Sequence, residues 1–204
     1  MTDELTFLQT MRLKGRVALD VLSFALDCDK GSVETLVKQA AESGLVASAD
    51  KGLVLTPVGR ARLIALVAAE RESVKRALVE ELYEEFDGYN LELKEIVTEW
   101  QMKSPDSLND HTDPAYDAAI VADMADLHQR FVPWLERLAS VAPRLSRYRI
   151  RLDSAMGAVQ RGDHGFIAKP IVDSYHTVWF ELHEELLGLL GRNRGSEAAA
   201  GRAL

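Results

Sequence analysis

Hydrophobic residues recur at helical spacing along most of the chain. In the first third they predict helices over residues 4–13, 17–25 and 33–43. Ser32 is the predicted N-cap of the third helix, and Gly44 follows its last turn as a C-terminal stop. The predicted inward face of this third helix consists of Val33, Leu36, Val37 and Ala40.

The pattern changes at residues 44–60, which read GLVASADKGLVLTPVGR. Residues 46–48 and 53–56 predict two short strands joined by the turn between them. Thr56 and Pro57 then suit the cap and first residue of a new helix. The first third of the chain is therefore predicted to contain three helices, a hairpin and the start of a fourth helix.

Residues 58–190 predict one helix after another and no strand. Gly88 is predicted to interrupt the first of these helices at about residue 86, and Pro133 to kink or restart a later one. Further loops and the last helix are predicted at residues 104–114, 162–170 and 171–190. The fold class is therefore mainly α, with an N-terminal domain over residues 1–70, an all-helical domain over 71–190 and a flexible tail over 191–204.

Composition agrees with a folded protein, because 47% of the 204 residues are hydrophobic. A single cysteine, Cys28, excludes an internal disulfide framework and a multi-cysteine zinc site. The sequence has no signal-peptide pattern and no apolar run of membrane-spanning length, so we expect a cytoplasmic protein without membrane contact.

The net charge of −8 is unevenly distributed. Residues 1–76 carry 11 basic and 10 acidic side chains, residues 77–110 carry 2 and 10, and residues 111–204 carry 11 and 12. Because non-specific attraction to nucleic acid needs basic surface, only the first third is a candidate for it.

The Gly-Leu-Val sequence at 44–46 and the exit from the hairpin at 55–60, following two short helices, resemble a MarR-like winged helix-turn-helix domain over residues 1–70. The resemblance implies a homodimer that binds double-stranded DNA, with residues 33–43 as a recognition helix in the major groove and the hairpin against the backbone. The DNA-binding residues that it implies are Ser32, Thr35, Lys38, Gln39, Lys51 and Arg60.

An alternative use of the same fold is protein contact, because the predicted recognition helix has no arginine and carries Glu34 and Glu42. Residues 89–101 and 173–192 also resemble a helical module that accompanies phosphoenolpyruvate or pyruvate dikinase components. The phospho-histidine and nucleotide-grasp segments of those enzymes are absent. This resemblance implies an accessory protein whose partner is an enzyme of that type.

The helical part contains a candidate site for a small anionic or aromatic effector. Arginines at positions 144, 147 and 151 form a stripe that suits carboxylates or phosphates. The predicted effector-binding residues are Trp100, Arg144, Arg147, Arg151, His176 and Trp179. The alternatives are a solvated face, pairing of the arginines with the acidic stretch at 80–99, and a plain core role for the tryptophans.

No metal, cofactor or enzymatic activity is predicted. His176 and His183 lie two helical turns apart, too far to share a metal ion, and no HExxH motif occurs. No nucleophile motif or phosphate-binding loop is present either. An oxygen-rich site built from Asp113 and Asp117 near His111, with help from His176, is the enzymatic alternative.

The sequence thus favours a cytoplasmic transcription regulator. In this prediction residues 1–70 would bind DNA, and residues 71–190 would dimerise and sense an effector. An accessory protein with a winged helix that does not bind DNA is the alternative.

Overall fold

The computed structural model of the chain describes residues 2–50, 52–170 and 172–192. It is mainly helical with small two-stranded hairpins, which confirms the predicted class. Its helices are α1 Glu4–Lys14, α2 Leu19–Leu26, α3 Lys30–Glu42, α4 Pro57–Ser73, α5 Arg76–Gln101, α6 Pro114–Val141, α7 Arg147–Gln160, α8 Gly165–Ala168 and α9 Tyr175–Leu190, with a 3₁₀ turn at Pro143–Ser146. The strands are β1 Val46–Ala49, β2 Gly52–Leu55, β3 Met102–Ser104 and β4 Ser107–Leu108.

The chain divides into two compact units between Val74 and Lys75. We call residues 2–74 the N-terminal unit and residues 75–192 the helical unit. Val74 is extended and ends α4, so the helix break that we predicted at Gly88 lies here instead. Helix α5 continues through Gly88, because a glycine costs only about 1 kcal/mol in a helix whose other residues pack well.

Helices α1 to α4 form the core of the N-terminal unit together with the hairpin. Phe7, Leu8 and Met11 of α1 are buried there. A three-residue turn joins α2 to α3, and its first residue, Asp27, adopts the left-handed conformation at φ 50°. Helix α3 begins three residues earlier than predicted because Asp29, and not Ser32, is its N-cap.

Strands β1 and β2 form an antiparallel hairpin with Val46 opposite Leu55. Val17, which we predicted in the second helix, is extended and exchanges two backbone hydrogen bonds with Leu53, of 3.1 and 2.8 Å. Gly52 permits this approach, since a Cβ at that position would lie 2.6 Å from the Val17 carbonyl oxygen. The hairpin is thus extended by a short third segment that joins α1 to α2.

In the helical unit, α5 packs against α6 and α9, and α7 packs against the same two helices. The core contains Phe86, Phe131 and Trp134, whose ring centroids lie 4.7–6.2 Å apart. The indole nitrogen of Trp134 donates to the carbonyl of Leu82 at 3.0 Å. The tryptophan is therefore buried without an unsatisfied donor.

Several predicted boundaries in the helical unit were wrong. Helix α6 runs through Pro133, because the buried Phe131 and Trp134 on either side hold both halves in the core. Helix α9 begins at Tyr175, after the N-cap Ser174, and not at 171. The β3–β4 hairpin overlaps the loop predicted at 104–114 and α8 lies in the loop predicted at 162–170, so the unit is not wholly helical.

The predicted tail lies largely outside the described residues, since the structure describes it only to Arg192. Among the residues that the structure covers, no helix combines the length and the apolar character needed to span a bilayer.

Candidate functional site

The exposed side of α3 carries most of the predicted DNA-binding residues. Val33 and Ala40 are buried beneath it, so Thr35, Lys38 and Gln39 lie on the solvent side as the periodicity predicted. The Thr35 hydroxyl donates to the carbonyl of Gly31 at 2.9 Å. Lys38 and Gln39 thus form the exposed, hydrogen-bonding part of this helix.

The N-terminus of α3 already holds an anionic group from the chain. The Asp29 carboxylate accepts hydrogen bonds from the backbone amide and the hydroxyl of Ser32. These bonds hold the pKa of Asp29 below its ordinary value. The phosphate that we predicted at Ser32 would therefore meet a carboxylate in its place.

The remaining predicted DNA contacts lie beside the hairpin. Arg60 is exposed, and its Nη1 donates to the carbonyl of Leu55 at 2.8 Å, which holds the side chain against the end of β2. Lys51 lies outside the described residues.

The three arginines predicted to bind an anionic effector are buried against α9. Arg144 and Arg147 both donate to the carboxylate of Glu185, at 2.8 and 2.9 Å. Arg151 binds the carboxylates of Asp173 and Glu181, each at 2.7 Å. We call these six residues the α7–α9 ion cluster. No side chain in it is more than 8% exposed.

This cluster bears on the predicted effector site. The anion predicted for the arginine stripe is supplied by the chain itself, so an effector would have to displace the carboxylates of Asp173, Glu181 or Glu185. The acidic stretch at 80–99 pairs with α6, through Arg130 with Glu92 and Arg137 with Glu85.

The other predicted effector residues are dispersed. Trp179 is fully buried, stacks on Phe86 at 5.1 Å, and donates through its indole nitrogen to Asn90. His176 is half-buried at the start of α9, where burial lowers its pKa. The structure therefore does not bring the six predicted residues into one site. Unlike Trp179 and His176, Trp100 lies beside a cavity.

That cavity has a volume of about 460 Å³ and lies between the first turns of α6 and the end of α7. We call it the His111–His164 cavity after its two imidazoles. Its walls also include Pro114, Asp117, Val121, Val159 and Gln160. The cavity thus combines four polar side chains with apolar walls, and ligand sites commonly have such a mixed lining.

A hydrogen-bonded His–Asp pair forms one wall of this cavity. His111 Nδ1 lies 3.0 and 3.2 Å from the two carboxylate oxygens of Asp117. Asn109 supports the pair, since its side-chain amide donates to Asp117 at 2.8 Å and its carbonyl oxygen accepts from the His111 backbone at 3.1 Å. Burial would raise the pKa of Asp117, but the hydrogen bonds from Asn109 and His111 outweigh it and lower that pKa.

Both imidazoles contact the ring of Trp100. Its centroid lies 4.3 Å from that of His111 and 5.2 Å from that of His164. His111 is held in the left-handed region at φ 57°, which a non-glycine residue adopts only at a cost. His164 was not predicted as a site residue, because only the fold brings residues so far apart in sequence to one indole.

The oxygen-rich site predicted from Asp113 and Asp117 does not form as expected. The Asp113 carboxylate caps α6 through the amides of Ala115 and Tyr116. His176 does not line the cavity. Within the described residues, no group of three or more His, Cys, Asp or Glu is placed to hold a metal ion.

Comparison with known proteins leaves the function to be inferred from this geometry. No family model, no curated protein and no solved structure matches the chain. The MarR-like and dikinase-associated resemblances therefore rest on their residues alone.

We expect the helical unit to lose stability as pH falls below the unfolded-state histidine pKa of 6.5. Burial lowers the pKa of His176 and of His128 in the fold, so near pH 6 the unfolded chain binds more protons than the folded one. Their contribution is present above pH 6.5 and lost on acidification. Urea unfolding at pH 7.5, 6.5 and 5.5, followed by tryptophan fluorescence, measures it. His176→Gln should reduce the pH dependence, and an unchanged dependence would contradict this cause.

Proposed function

We propose that this protein is a homodimeric DNA-binding transcription regulator, in which the N-terminal unit is a winged helix-turn-helix and the helical unit dimerises and senses an effector. The observation that carries the proposal is the exposed polar side of α3, a helix that follows α2 after a three-residue turn and precedes the β1–β2 hairpin. DNA is read by such a helix through side chains on its exposed side.

The order of elements in the N-terminal unit supports the winged helix. The α2–α3 pair is joined by a turn of three residues, a length typical of helix-turn-helix motifs. The β1–β2 hairpin follows α3 directly, and the extended Val17 segment pairs with it from the other side. A hairpin anchored in this way is a suitable wing.

The chemistry of the exposed side supports contact with bases and phosphates. Gln39 has the amide that pairs with adenine, and Lys38 can bind guanine or a phosphate. Arg60 extends the basic surface beside β2. A dimer doubles these few contacts, and each phosphate neutralised strengthens the dependence of binding on salt.

Charge reversal at Lys38 provides the test. Selection from random DNA duplexes at about 50 mM salt, followed by fluorescence anisotropy on the selected duplex, gives the reference affinity. Lys38→Glu is expected to weaken binding by at least about tenfold, because it removes a cation from the interface and adds repulsion. The slope of log affinity against log salt should decrease by about one for each phosphate that Lys38 neutralises in the parent complex.

Lys169→Glu is the matched control, since it makes the same charge change at an exposed position of the helical unit. It should leave the affinity within about twofold. Failure to enrich any duplex, or an equal loss of DNA affinity in Lys38→Glu and Lys169→Glu, would refute DNA binding through α3. Sedimentation equilibrium tests the dimer separately.

A second candidate is an accessory protein whose N-terminal unit contacts another protein. The observation that favours it is the lack of net positive charge on α3, where Glu34 and Glu42 balance Lys30 and Lys38 and the Asp29 carboxylate caps the helix. The dikinase-associated resemblance suggests an enzyme of that type as partner. This candidate predicts a stoichiometric complex that Lys38→Glu disrupts while no duplex is enriched.

A further inference from the structure

We propose that the His111–His164 cavity binds a small organic acid as its anion, with the acid group between the two imidazoles and its apolar body against α6 and α7. The role of this acid as an effector rests on the proposed function, whereas its binding to the cavity does not depend on that function. The hydrogen bonding of His111 with Asp117 is the first observation that supports such a site.

The carboxylate of Asp117 fixes the tautomer of His111. A carboxylate accepts hydrogen bonds, so we assign the proton of neutral His111 to Nδ1, which leaves Nε2 as an acceptor. The Asn109 amide nitrogen also lies 3.2 Å from Nδ1, but it donates its two hydrogens to the Trp100 carbonyl and to Asp117. Among the residues that the structure covers, Nε2 has no hydrogen-bond partner. The ring is 43% exposed, so a ligand can reach it. An acidic O–H that binds at Nε2 can transfer its proton and leave an imidazolium next to an anion.

Asp117 lies behind His111 and is not itself a cation site. Its Oδ1 accepts from Asn109, and both its oxygens lie within 3.2 Å of His111 Nδ1. The residue is 7% exposed, so its charge acts on His111 with little screening. It therefore stabilises the imidazolium from behind while the ligand anion binds in front.

The second imidazole completes an anion site. His164 contacts the same indole as His111 and is exposed at the cavity, so both rings can donate to one carboxylate. The apolar walls, including Val121 and Val159, suit a hydrocarbon body of the ligand. A volume of about 460 Å³ accepts an acid with a ring or a branched chain.

The test is a titration of the full chain, labelled with ¹⁵N in its histidine rings, with phenylacetate and with 4-methylpentanoate. The corresponding amides are the neutral controls, since they keep the shape but lack the anion. We expect saturable shifts of the His111 and His164 ring nitrogens with at least one acid below about 10 mM, and at least about tenfold weaker binding of its amide.

Asp117→Asn should weaken binding of the acid by about tenfold or more, because the amide does not stabilise the imidazolium. Asp123→Asn is the matched control, being the same change at an exposed position of α6, and should bind as the parent does. If Asp117→Asn does not fold, His164→Gln, at an exposed ring, tests the second imidazole and should weaken binding about fivefold.

The proposal is overturned if neither acid shifts either ring, if acid and amide bind equally, or if both site variants bind like the parent chain. Measuring affinity for the DNA duplex selected above, with and without the acid, tests whether the acid is an effector. If the acid binds but leaves DNA affinity unchanged, the site stands and its role as effector fails. If no duplex is selected, the titration still decides whether the acid binds.

Discussion

Replacing Arg151 by methionine is expected to destabilise the helical unit by about 3–5 kcal/mol. The guanidinium is 3% exposed and binds two carboxylates, those of Asp173 and Glu181. Removing it leaves like charges together in a region of low dielectric, and their repulsion adds to the desolvation cost. Urea unfolding followed by tryptophan fluorescence measures the effect, because all three tryptophans belong to this unit.

Arg149→Met is the matched control for this prediction. Arg149 lies on the same helix, but its ion pairs with Asp153 and Glu136 are solvent-exposed. Such pairs contribute at most about 1 kcal/mol to the free energy of unfolding. Arg151→Lys, which keeps the charge but loses the fork geometry, should fall between the two. Equal stability of Arg151→Met and Arg149→Met would show that the α7–α9 ion cluster does not stabilise the fold.

Gly59→Ala is expected to destabilise the N-terminal unit by about 3 kcal/mol or more. A Cβ at this position would lie 2.0 Å from the carbonyl oxygen of Leu45, and a backbone atom cannot rotate away. The approach is fixed by Thr56, whose amide donates to the same carbonyl at 3.0 Å and whose hydroxyl donates to that of Gly44. Overpacking here therefore separates α4 from the end of α3.

Hydrogen exchange by mass spectrometry localises this effect. Protection should fall in peptides of residues 2–74, while the tryptophan-detected unfolding of the helical unit stays the same. Gly88→Ala is the control, since its Cβ would meet no atom within 4 Å, and it should stabilise α5 by up to about 1 kcal/mol. Unchanged protection in Gly59→Ala would mean that α4 does not rest on Leu45.

The local sequence pattern predicted which helices and strands form more accurately than it predicted where they begin and end. The inward face of α3 was predicted correctly at Val33 and Ala40, because burial follows helical periodicity. The start of α3 was wrong because Asp29 and Ser32 are both good caps, and choosing between them depends on the turn after α2. Gly88 and Pro133 were overrated as helix breakers, since tertiary packing outweighs their local cost.

Candidate sites depended on partners that are distant in sequence. The arginine stripe was visible in the sequence, but its acidic partners on and just before α9 lie 22–41 residues away. His111 and Asp117 were named from their proximity in sequence, and the structure joins them. The structure adds His164, which follows α7 and contacts the same indole as His111, and periodicity cannot indicate such a contact.

The left-handed backbone of His111 has a consequence for how this sequence changes under selection. Glycine and asparagine adopt that conformation at lower cost, so replacing His111 by either removes backbone strain together with the imidazole. A library of variants selected for thermal tolerance alone would be enriched in such replacements. A lineage that retains histidine at position 111 forgoes an available increase in folding stability. Retention would therefore indicate selection for a property other than folding.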